Sequence, residues 1–403
     1  MALIYILLVF FLIMPKIGSF DIPLISLFIC FSIVFVRNHL IGSRKIVSIN
    51  INKNHYIMII LMIFLFALSV VSFFVNHGGN VDLQFLAKPI RVVIIMFLLA
   101  YITSSERIEI KDAAFVLIIA TTINSSVVIS QYMLQVLFGI SDFLLNPNFS
   151  ESVITPYRKP GLMSGYPTAG IFSIFGVLSI IYVYMSKLIS NKLFFLLFLI
   201  NTVACFLTAR TAVYMWIVFA LPYLILTLFY FKKHKEIVLI FLIFSSFSSY
   251  IISSDNKVLD GTLDKMFANV NNYIETGSFN DYSTEDLLEN HYEFPDDPYV
   301  FFFGNSTSPS ESLVNSDVSI FRITWYSGFP SSLLYLIAYL FMWITAIKGT
   351  LLKRDKLFIN VFFIVFIISN AKGFYFFSRV LGDSSLLIWS ALCSFIPKVN
   401  NNE

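Results

Sequence analysis

Arg158, Arg210 and Arg322 each stand at the edge of a long apolar block. Lys88, Arg91, Lys159, Lys372 and Arg379 sit in or beside such blocks too. A charge placed against a membrane-spanning segment is costly and needs a reason. Arginine presents a planar fork that matches phosphate or carboxylate oxygens. Arg158, Arg210 and Arg322 together would therefore make an anion site, with Lys159, Arg91 and Arg379 as further candidates for it. The alternative is that each arginine pairs with an acid, such as Asp317 or Glu311, or snorkels to the interface. Pairing explains Arg210 least well, because Thr208-Ala209-Arg210-Thr211 has no acid nearby in sequence.

Two residues could move a proton. His291 is the one histidine of the polar stretch 253–325, where acids surround it, and imidazole titrates near neutral pH. The alternative is a solvated loop histidine. Asp317 lies in Asn315-Ser316-Asp317-Val318, just before an apolar block. A carboxylate there could activate a hydroxyl or orient an arginine; it could equally cap a helix. Tyr273, Tyr282, Tyr292 and Tyr299 could stack on the apolar faces of sugar rings or pack the loop onto the helices. No phosphate-binding glycine loop, dinucleotide fingerprint or zinc spacing occurs, so neither a metal nor a cofactor is expected.

The elements that carry these residues follow from composition. Of the 403 residues, 58% are hydrophobic and only 13% charged, with a mean hydropathy of +0.81. A soluble domain carries about twice that charge. The apolar residues come in blocks of about 20, without the period-two alternation of a barrel. An all-α polytopic membrane protein follows, with about 12 transmembrane helices. They are expected near 2–19, 21–37, 56–75, 84–103, 113–137, 167–186, 193–208, 211–231, 237–253, 326–347, 357–372 and 384–397. Residues 1–403 form a single integral membrane domain, and the first apolar run reads as a retained span. Cys30, Cys205 and Cys393 fall inside spans, so no disulfide is expected.

Alternate connections hold 16 of the 27 Lys and Arg residues. Positive residues favour the cytoplasmic side. Both termini are then cytoplasmic, and the one large loop, 254–325, is extracytoplasmic. It carries 13 of the 24 acids against Lys257, Lys265 and Arg322. Leu263, Met266, Phe267, Val270, Tyr273 and Ile274 recur at helical spacing, which predicts an amphipathic helix over 262–276, lying on the membrane face and capped by Gly277. Ser283 starts a second short helix, and Pro295, Pro298 and Pro309 keep the rest irregular. Pro160-Gly161 and Tyr166-Pro167 mark non-helical backbone before the sixth span.

With these residues in view, the chain resembles the Wzy-type O-antigen and capsule polymerases, relatives of the O-antigen ligases. The resemblance covers residues 158–340. It is carried by Arg158-Lys159-Pro160-Gly161-Leu162 with Tyr166-Pro167, by Leu207-Thr208-Ala209-Arg210-Thr211, and by Phe303-Gly304-Asn305 followed by Ser316-Asp317 and Tyr326-Ser327-Gly328. It departs from the family pattern at Ala209, where serine is usual, and at Thr168, where asparagine is common. The resemblance implies glycosyl transfer from an undecaprenyl-diphosphate-linked oligosaccharide to the next lipid-linked repeat unit. It also implies a bacterial inner-membrane location, and a chain-length regulator and a flippase as partners besides the bilayer. No nucleic acid is expected. Arg158, Arg210 and Arg322 would bind the diphosphate, with Asp317 or His291 as base.

Two rivals share some of these features. A ligase would use the same donor but a lipopolysaccharide core as acceptor. A transporter would also gather arginines in a cavity, but it should show two related halves, and the sequence shows none.

Overall fold

The computed structural model describes residues 1–17, 20–41, 53–75, 83–140, 143–147, 157–230, 232, 257–277, 285, 289, 291–306, 318–371, 373 and 375–393. Among them every regular element is helical and there is no strand. Among the described residues, eight helices are long and apolar enough to cross a membrane, as befits a multi-pass membrane protein. The span expected at 237–253 lies outside the described residues.

Helix α1 is Ala2–Ile13. It stops short of the expected 2–19 because Met14 precedes Pro15, and a residue before proline is pushed out of the helical region. Then come α2 (Ile22–Val36), extended by a π-turn over Arg37–Ile41, α3 (Lys53–Val75), α4 (Leu83–Glu106) and α5 (Ile110–Phe138). They are followed by α6 (Tyr166–Met185), α7 (Asn191–Thr208) and α8 (Arg210–Tyr230). A π-turn interrupts α8 at Trp216–Ala220, just before Pro222, whose ring nitrogen cannot donate back along the helix.

The amphipathic helix of the loop is α9, Lys257–Thr276, which begins five residues before the expected 262. Gly277 ends it in a left-handed conformation, φ 76°, and donates to the Tyr273 carbonyl at 2.9 Å. The short helix expected from Ser283 lies outside the described residues, apart from helical Glu285 and Glu289. Pro298 was expected to keep the chain irregular. Instead it opens α10, Pro298–Phe303, because proline suits a first helical turn and the Asp297 side chain caps Tyr299 N–H at 2.9 Å.

The span expected at 326–347 is α12 (Phe329–Lys348), and the short α11 (Ser319–Ser327) runs up to it. Gly328 separates them at φ 82°, a conformation that favours glycine. Two shorter helices follow, α13 (Lys353–Ser369) and α14 (Leu381–Cys393).

The chain divides into two compact units. The first comprises Met1–Leu8, Leu24–Ala113 and Tyr282–Glu403; the second comprises Val9–Pro23 and Ala114–Asp281.

The second unit is built on α6, which is apolar all round and almost wholly buried. Gly170 and Gly176 let its neighbours close in: a Cβ at 170 would lie 2.7 Å from Thr208 Oγ1, and one at 176 would lie 2.6 Å from Asn201 Oδ1. A buried polar seam ties α5, α6 and α7 together. Ser125 lies 3.1 Å from Ser173 Oγ and donates to Asn201 Oδ1 at 3.1 Å, while Asn201 donates to Thr122 at 3.0 Å.

In the first unit, α10 and α11 cross backbone to backbone. Asn305 and Ser306 donate to the Trp325 and Tyr326 carbonyls at 2.8 and 3.0 Å. A Cβ at Gly304 would strike the backbone at Tyr326–Ser327, and one at Gly328 would strike the backbone at Phe302–Phe303. Ser72 of α3 locks the crossing, 2.6 Å from Ser306 Oγ and donating to the Tyr326 carbonyl at 2.9 Å.

Candidate functional site

The second unit brings Arg158, Lys159 and Arg210 onto adjoining backbone. Lys159 N–H donates to the Leu207 carbonyl at 3.0 Å, at the end of α7. Ala209 is extended (φ −145°, ψ 140°), so the helix breaks there and Arg210 opens α8. Arg210 is buried and Arg158 half-buried. Lys159 is 1% exposed, and burial pushes its ammonium below the usual lysine range. Arg158, Lys159 and Arg210 thus lie on adjoining backbone where α7 ends and α8 begins.

The segment is held there by amides that the sequence reading did not single out. Gln131, buried on α5, accepts from Gly161 N–H at 2.9 Å and donates to the Gly161 carbonyl at 3.1 Å. It also donates to the Phe143 carbonyl at 2.8 Å. Asn124 Oδ1 accepts from Leu162 N–H at 2.9 Å, and Asn146 donates to the Leu162 carbonyl at 2.7 Å. Gly161 has φ 61°, and a Cβ on it would lie 2.8 Å from Val128 Cγ2. So Gly161 marks a close crossing of loop and helix, and no other residue fits well. Amides within an otherwise apolar block, 113–137, were the available signal.

Helix α9 lies across this locus. A Cβ at Gly261 would sit 2.8 Å from Tyr157 Cζ, next to Arg158. One turn past Arg210, the Tyr214 hydroxyl donates to Asn269 Oδ1 at 3.4 Å.

The other expected site residues belong to the first unit. Arg91 forks both nitrogens onto Asp383, at 2.9 and 2.7 Å, and the carboxylate is almost wholly buried. Its bidentate face is thus given to a residue some 290 positions away in sequence; Asp383 was not among the acids considered for pairing. Arg322 is on α11 rather than in a loop, half-buried. His291, also half-buried, lies on the segment that packs over the same helix. Tyr292 meets Phe321 edge-on at 5.3 Å, Phe294 contacts Phe321 at 4.5 Å, and Trp325 donates to the Glu293 carbonyl at 2.9 Å. These rings pack the loop onto α11. Tyr292 donates to the Ala371 carbonyl at 2.7 Å, and burial raises its hydroxyl above the usual tyrosine range. Arg379 occupies a tight turn between Phe377 (φ 49°) and Val380 (φ 68°). Asp317 lies outside the described residues. Among the described residues, no three His, Cys, Asp or Glu side chains gather where they could share a metal ion.

No protein-family model matches the sequence, and no curated protein matches it.

Proposed function

We propose that this protein is a surface-polysaccharide polymerase: it transfers a growing glycan from a lipid-linked diphosphate to the next lipid-linked repeat, at the extracytoplasmic face of the bacterial inner membrane. The observation that carries the reading is the bond between Lys159 N–H and the Leu207 carbonyl. It joins the two arginine-bearing motifs of the family resemblance, which lie some 50 residues apart in sequence. In this reading Arg158 and Arg210 take the diphosphate, whose oxygens match their forks.

Negative charge grows on the diphosphate as the glycosidic bond breaks. Cations fixed in advance stabilise that state more than the ground state. The lipid diphosphate leaves with the electron pair of the anomeric C–O bond, the acceptor hydroxyl oxygen forms the new bond to that carbon, and its proton passes to a base. His291 and Asp317 are the candidates for that base, and neither is needed for the anion argument. The donor is activated already, so the transfer needs no nucleotide at this step.

The ligase reading uses the same locus and differs in acceptor. An acidic loop is a poor dock for a phosphorylated lipopolysaccharide core, which favours the polymerase. The test is deletion in the native host with surface glycan resolved by size. Core capped by a single repeat, with the long ladder lost, is the expected result. Bare core with long polymer accumulating on the lipid carrier would identify a ligase and overturn the reading.

A further inference from the structure

Helix α9 has three faces. Gly261 and Asn269 lie on the face that meets Tyr157 and Tyr214. Asp264, Asn271 and Glu275 lie on a second face, all exposed. Val270, Tyr273 and Ile274 fall on a third, about a third of the circumference from the protein-facing one. They are 38%, 47% and 75% exposed. An apolar stripe this exposed is not core.

The place of the helix says what meets the stripe. Tyr157 precedes the Arg158 segment, and Tyr214 is in the first turns of α8, so α9 rests at the end of a membrane span. Farther along the same span, Ile217 and Val218 are exposed apolar side chains. On a membrane-spanning helix such residues face acyl chains. Through Asn269 on Tyr214, α9 rests beside the end of that lipid-facing surface, and its acids lie on a different face from its stripe.

We propose that α9 is an interfacial helix whose Val270–Tyr273–Ile274 stripe is seated in the headgroup–acyl boundary of the bilayer. Its acidic face then points to water, and a tyrosine sits at the depth where interfacial aromatics are enriched. Through Gly261 on Tyr157 and Asn269 on Tyr214, the helix fixes the Arg158–Arg210 locus at headgroup depth. A site at that depth meets a lipid phosphate without drawing the lipid out of the membrane. The seating does not depend on which anion the locus takes, so its failure would leave the proposed transfer reaction standing.

The test uses full-length protein in phosphatidylcholine nanodiscs. Cys30, Cys205 and Cys393 are buried and should escape labelling under native conditions. Ile274→Cys and Glu275→Cys, made separately, carry a nitroxide label. Its collisions with oxygen, which concentrates in lipid, are compared with those with an aqueous nickel chelate. The oxygen-to-nickel ratio should be several-fold higher at position 274 than at 275. Equal, nickel-dominated collisions at both positions would put the helix in water and overturn the proposal. Shielding at 274 from both reagents, with dipolar broadening between labels, would mean that a second copy covers the stripe, and would overturn it equally.

Discussion

Arg210 and Lys159 make opposite demands on one short stretch of buried backbone. Arg210 presents a fork, and lysine in its place would keep the charge without the bidentate geometry. Arg210→Lys should therefore lose much of the transfer activity. Arg210→Ala should lose more, about 2–4 kcal/mol of transition-state stabilisation by analogy with the loss of one oxyanion donor. Single-turnover assays at matched expression measure this, and full activity of Arg210→Ala would make the residue structural.

Lys159 has its folded pKa below its unfolded value, because burial disfavours the ammonium. Between those two values the unfolded chain binds more protons than the folded one, so stability rises with pH there. Below the folded value the whole cost of the buried charge is present. Lys159→Met should therefore gain stability relative to the wild type near neutrality. That gain should shrink as pH climbs toward the ordinary lysine value of 10.5. Thermal unfolding at several pH values checks the sign, and a pH-independent difference would mean that burial does not perturb Lys159.

At the scale of elements, the Arg91–Asp383 pair joins α4 to α14 by a buried fork. Removing one member of such a pair strands a charge and costs roughly 3–5 kcal/mol, whereas replacing both with apolar side chains is often close to neutral. Asp383→Asn should lose more folded protein than the double change Arg91→Met with Asp383→Leu. If the double variant folds yet loses activity, Arg91 serves the substrate after all.

The crossing of α10 and α11 makes a second demand, because each glycine faces the other helix's backbone. Gly328→Ala adds a methyl where backbone already sits and holds alanine at positive φ. A loss on the order of 1–3 kcal/mol is expected from the strain alone, read as a lower unfolding temperature.

These elements show what the chain made legible. Apolar length placed α3 to α8 within a few residues, since a bilayer leaves little choice of span length. Helical periodicity found α9 and Gly277 found its end. Patterns of one segment cannot reveal partners from another, so Asp383 beside Arg91, Gln131 beneath Gly161 and Gly304 against the Tyr326 backbone emerged only when the chain was folded. Pro298 shows a different limit. Proline both breaks and starts helices, and its neighbour Asp297, an N-cap, decided which.

For the whole molecule, orientation decides which chemistry is open to it. The connection between α4 and α5 carries Arg107 and Lys111, and that between α6 and α7 carries Lys187 and Lys192. By the positive-inside rule, the charge of each connection would assign it to the cytoplasm. In that orientation the break between α7 and α8, with Arg210 on it, would be extracytoplasmic. Arg158 comes with it through the Leu207 contact, and α9 through Tyr214 and Asn269. Under the proposed function, the locus would then lie where a lipid-linked diphosphate is exposed after it has been flipped. Were the orientation reversed, the same cations would face the cytoplasm, where soluble sugar nucleotides are the donors, and the polymerase reading would fail with the topology. Glu275 is exposed on α9 and gives a direct test. A cysteine there should react with a membrane-impermeant maleimide in intact spheroplasts, to the same extent as after permeabilisation. Reaction seen only after permeabilisation would put α9, Arg158 and Arg210 in the cytoplasm and remove the lipid-linked donor from their reach.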